Sequence, residues 1–91
     1  MLATYPIYFS PTSKKQYEEL CRQIDFFEAI WASVTFCLKK YPYRCSATQL
    51  ENGAFVKNMP LYSPAGELWI VFTHNDACVT IEGIRFKERD S

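Results

Sequence analysis

No charge of either sign is in excess in this chain. Ten Lys and Arg meet ten Asp and Glu, which removes a global attraction to nucleic acid or anionic lipid and leaves only a local basic face to consider. There is no C-x-x-C pair: Cys21, Cys37, Cys45 and Cys78 lie 16, 8 and 33 positions apart, and one histidine cannot complete a zinc spacing. No metal and no cofactor is expected. The longest strongly apolar run, residues 68–72, falls far short of the roughly 20 residues of a membrane helix. The N-terminus has no basic segment ahead of an apolar one, so the expectation is a cytoplasmic chain whose thiols stay reduced and buried. Internal repeats and low-complexity tracts are also lacking.

What is present suits one domain spanning residues 1–91. The hydrophobic share is 48%, the charged share 22% and the aromatic share 16%, a composition that folds and gives a small core bulky material. Residues 4–9 alternate Tyr5, Ile7 and Phe9 against Thr4, Pro6 and Tyr8, which predicts a strand with one buried face. Ser10 followed by Pro11 marks a helix start, because the hydroxyl accepts from an orphan backbone N–H while proline lacks only a donor that would be unpaired there. Tyr17, Leu20, Cys21 and Ile24 recur at helical spacing. Asp25 and Glu28 resemble a second capping arrangement, ahead of a stripe of Phe27, Ile30, Trp31, Val34, Leu38 and Tyr41 widened by Phe26, Ala29, Phe36 and Cys37. Pro42 ends that helix, and the near absence of a linker predicts an antiparallel helical hairpin.

After Pro42 the period changes to two, over residues 54–59, 67–73 and 77–86. Turns are expected at residues 62–66 and at His74, Asn75 and Asp76. Leu68, Ile70 and Phe72 alternate with Trp69, Val71 and Thr73, so the middle strand is apolar on both faces and belongs inside a sheet that helices cover on one side. The expected fold is α+β: an N-terminal strand, the helical hairpin, then a three-stranded antiparallel meander.

That order, with the opening IYFSPTSKKQYEEL and the closing LWIVFTHNDACVTIEGIRFKER, resembles the RelE/ParE superfamily of toxins from type II toxin–antitoxin modules. The similarity covers most of the chain. It implies an antitoxin as partner. For the ribosome-dependent ribonucleases of the family it also implies cleavage of mRNA on the ribosome, with basic side chains on the sheet holding the RNA backbone. The attacking group is the RNA's own 2′-hydroxyl, so such a protein positions it, neutralises the charge at phosphorus and assists proton transfer. Carried over by position, Lys57, Arg85 and Lys87 are the catalytic candidates and Arg89 extends the basic segment. Where the family often has Tyr-Arg, this chain has Leu68 and Trp69, and it has no tyrosine near its end. ParE-like members, which bind DNA gyrase, resemble it in lacking the nuclease set. Inhibition by binding a target such as gyrase is therefore the alternative.

If the strands pair as the periodicity suggests, Lys57 and Arg85 converge on one side of the sheet; the bland reading is a solvated strand end with Glu82, Glu88 and Asp90 interleaved. His74, the sole imidazole, is the natural general acid or base, but it is expected in a turn with no evident partner. Trp31 belongs to the core by its place on the helical stripe, whereas Trp69 is a candidate for RNA or partner binding on whichever sheet face the helices leave open.

Overall fold

Ser10 behaves as the sequence dictates. Its hydroxyl accepts from the Ser13 N–H at 3.1 Å, and α1 (Pro11–Gln23) follows with proline in its first turn. The computed structural model describes residues 4–40, 42, 48–62 and 65–88. β1 (Ile7–Phe9) precedes α1, and α2 (Phe27–Lys40), β2 (Thr48–Gln49), β3 (Phe55–Tyr62), β4 (Ala65–His74) and β5 (Val79–Glu88) come after it.

The link between the helices is three residues, 24–26, and it starts α2 differently from the expected Asp25 cap. Ala29 and Ile30 donate their N–H groups to the Phe26 carbonyl at 3.1 and 3.2 Å, so Phe26 stands where a capping side chain was expected. Its φ is +62°, a left-handed conformation that costs a residue with a Cβ about 1–2 kcal/mol. Lys39 and Lys40 close the helix at its negative end, as their positions suggested.

The sheet has five strands in the order β1-β5-β4-β3-β2. The expected meander is its centre, with β3 antiparallel to β4 and β4 antiparallel to β5. Two features were not expected. β1 joins in parallel beside β5, pairing Ile7 with Val79 and Phe9 with Ile81, so the sheet is mixed. Thr48 and Gln49 add a two-residue strand against Val56 and Phe55, too short to leave a periodic signal. Pro60 lies beyond the stretch of β3 that β2 pairs with, which is where a strand tolerates a residue without an N–H. The connection at residues 63–64 and Tyr41, Cys45, Arg89 and Asp90 lie outside the described residues.

Both helices pack on one face. Leu20, Ile24, Phe27, Trp31, Val34 and Leu38 meet Leu68, Ile70, Phe72, Val79, Ile81 and Ile84 in one buried cluster, and each fully buried side chain of this size contributes about 1.5–3 kcal/mol. Phe9, Tyr17, Phe27 and Trp31 form an aromatic group in which Trp31 lies 5.7 Å from Phe9 and 5.5 Å from Tyr17. Ser13 fastens α1 to the sheet: fully buried, it donates to the Ile81 carbonyl at 2.6 Å. The helical stripe is narrower than expected, since Phe26 is 86% and Phe36 60% exposed. Lys40 sits over the Phe36 ring at 4.4 Å.

Candidate functional site on the open sheet face

Register partners across a ladder point to the same side of a sheet. On β4, Leu68, Ile70 and Phe72 turn toward the helices and are fully buried, while Glu67, Trp69, Val71 and Thr73 turn away. Trp69 pairs with Asn58 on β3 and Arg85 on β5, Glu67 pairs with Lys87, and Thr73 pairs with Thr80, itself beside Tyr8 of β1. Tyr8, Trp69, Arg85 and Lys87 therefore share the face that no described helix covers. Tyr8 is 57% and Trp69 38% exposed.

Lys57 does not join them. It pairs with Ile70, which pairs with Ile84, so it lies on the helix side of the sheet between Phe55 and Met59. The expected convergence of Lys57 and Arg85 is thus corrected: they lie on opposite faces, with β4 between their strands. A register irregularity is responsible for Arg85's side. Val71 pairs with Gly83 but Phe72 pairs with Ile81, so Glu82 is an extra residue, and its bulge reverses the alternation in the rest of β5. Both Ile81 and Ile84 then reach the core, and Arg85 emerges on the open face.

His74 is also corrected. It ends β4 rather than starting a turn, pairs with Val79, and stacks on Phe55 with ring centroids 5.1 Å apart at 26°. The turn is built one residue later: the Asn75 side chain accepts from the N–H groups of Ala77 and Cys78 at 2.7 and 3.0 Å, an Asx arrangement. His74 is therefore far from the open-face aromatics in role and side. Trp31 is 8% exposed and belongs to the core as expected.

The open face has mixed electrostatics. Lys87 stands opposite Glu67, a favourable cross-strand pairing of unlike charges, whereas Arg85 stands opposite Trp69. Tyr8 was not singled out as a site residue in the sequence, although its alternation with Ile7 and Phe9 carries the signal. Among the described residues, no three His, Cys, Asp or Glu side chains gather as a metal site, and no helix is long and apolar enough to cross a membrane. Cys21, Cys37 and Cys78 are free thiols and only half-buried, less enclosed than expected. Beside Cys21, the Tyr17 hydroxyl is pushed up to about 12, first by burial and then by the neighbouring Cys21 thiol and Glu28 carboxylate.

No protein-family model matches the chain, and no curated protein and no solved structure is significantly similar to it.

Proposed function

We propose that this chain is a toxin of the RelE/ParE type that acts by binding a target protein through the open sheet face, gyrase being the example the resemblance supplies. The family reading rests on the sequence resemblance at residues 7–20 and 68–89. The choice of mechanism rests on one observation: Lys57 and Arg85 occupy opposite faces of the sheet. A ribonuclease needs its cations preorganised around one phosphorus, because the stabilisation comes from groups aimed at a single developing charge. Binding needs only an exposed aromatic anchor with a polar surround, and Trp69 flanked by Arg85 and Asn58 supplies that.

A second reading keeps the nuclease. Arg85 and Lys87 share their face with Tyr8 and Trp69, and aromatic side chains beside cations also suit a single-stranded RNA. The experiment that separates the two is induction in a bacterial host with mapping of mRNA ends. The binding reading expects growth inhibition without new ends. Unchanged growth with confirmed folded protein contradicts the toxin reading altogether.

A further inference from the structure

A second surface lies on the opposite flank from the aromatic face. The end of α1, the interhelical link and the start of α2 form one wall of a groove of about 770 Å³, and Phe86 and Glu88 of β5 form the other. Ile24, Phe26, Ile30 and Phe86 supply its apolar lining, and its charged lining among the described residues is acidic, Asp25 and Glu88.

Two observations mark this groove. The first is a strand edge that no described strand pairs with beyond Ile81. β1 covers β5 only from Val79 to Ile81, and just beyond it Ile84 donates its N–H to Gln16 Oε1 at 2.7 Å on the side away from β4. Alternation along a strand then turns the backbone N–H and C=O groups of Phe86 and Glu88 the same way, into the groove. An exposed row of such groups is a template for another strand. The second is Phe26, held at φ +62° and 86% exposed. A large aromatic in a conformation suited to glycine, with its ring in water, does nothing for the core, and such outliers persist where a site uses them.

We infer that the groove receives an extended, basic peptide segment of a partner protein, which adds to the edge of β5 at Phe86 and Glu88. Its alternate apolar side chains lie on Phe26, Ile30 and Phe86, and its cations meet Asp25 and Glu88. Strand addition fits because main-chain hydrogen bonds supply affinity and pockets for alternate side chains supply selection. A second copy of this chain fits poorly. Two β5 edges paired antiparallel about Phe86, same face to same face, would set Arg85 of each against Lys87 of the other, and like charges directly opposite destabilise a ladder. Anionic lipid is disfavoured by the two carboxylates.

The test is selection of random nonapeptides displayed on phage against the full chain, followed by affinity measurement with the synthetic winners. The expected winners alternate apolar residues and carry Lys or Arg. N-methylation of their alternate amides should weaken binding at least tenfold, as should Glu88→Lys. Phe26→Gly should do the same while leaving the melting temperature unchanged or raised, because it removes the strain along with the ring. Trp69→Ala should leave these affinities unchanged, which keeps this result separate from the fate of the open face. Absence of enriched peptides, winners without basic residues, or affinities indifferent to N-methylation and Phe26→Gly would each overturn the inference.

Discussion

Trp69 and Arg85 stand directly opposite each other across β4 and β5, on the side of the sheet that no described helix covers. The neighbouring pair, Ile70 with Ile84, points into the core and carries Lys57 on its far side. One step along the ladder therefore separates the open face from the hydrophobic interior, and it assigns the two strand cations to different surroundings.

Arg85→Ala and Trp69→Ala should leave the fold intact. Both side chains are exposed, and surface substitutions of this kind usually change stability by about 0.5 kcal/mol or less. Thermal melts of each variant should overlay the parent, while growth inhibition on induction is lost. A large drop in melting temperature for either would mean that the face is structural.

Trp31→Ala should behave in the opposite way. The indole contacts Phe9, Tyr17 and Phe27 in the aromatic group, and removing a buried aromatic costs about 3–5 kcal/mol. A domain of this size holds little more than that in reserve. Denaturant titration should show a much earlier midpoint or no folded baseline.

Gly66→Ala tests the register at the far end of β4. A Cβ there would lie 2.5 Å from the Lys87 carbonyl oxygen and 2.7 Å from the Phe86 ring, and backbone on a paired strand cannot move aside without breaking the ladder. The variant should lose about 1–3 kcal/mol, the usual cost of overpacking. A stability equal to the parent would show that the end of β5 lies elsewhere.

Tyr17 should give the stability curve a feature at high pH. Its folded pKa is raised to about 12 from 10.0, so the unfolded chain releases this proton first. The stabilisation is complete below the unfolded value and is lost as pH rises through the folded one. Ultraviolet titration should show a tyrosine ionising near 12, and unfolding free energy should fall between those two values. Tyr17→Phe should remove both effects.

Much of this was legible in the sequence. Ser10 and Pro11 fixed the helix start because capping is a local matter of one hydroxyl and one absent donor. The two-sided apolar run at residues 68–72 identified the central strand, and alternation set Trp69 apart from Leu68, Ile70 and Phe72 without saying which of the two faces the helices cover. The faces of Lys57 and Arg85 were not legible in the same way. Arg85's face depends on the bulge at Glu82, whose trace in the sequence is the slip from Val79 and Ile81 to Ile84 and Phe86, and Lys57's on the register of β3 against β4. Histidine beside Asn75 and Asp76 reads as turn chemistry, whereas the His74 ring stacks on Phe55 at the end of the strand. Phe26 falls by spacing on the widened helical stripe, since nothing local announces a left-handed phenylalanine.

The most direct test is to map mRNA 5′ ends during induction of the parent chain, Lys57→Ala, Arg85→Ala and Trp69→Ala in a bacterial host. Action by binding predicts growth inhibition by the parent and by Lys57→Ala, loss of inhibition in Trp69→Ala, and no new cleavage sites in any strain. Position-specific cuts within translated codons, abolished by Lys57→Ala as well as by Arg85→Ala, would contradict it, because two cations on opposite faces of a sheet would then be serving one phosphate.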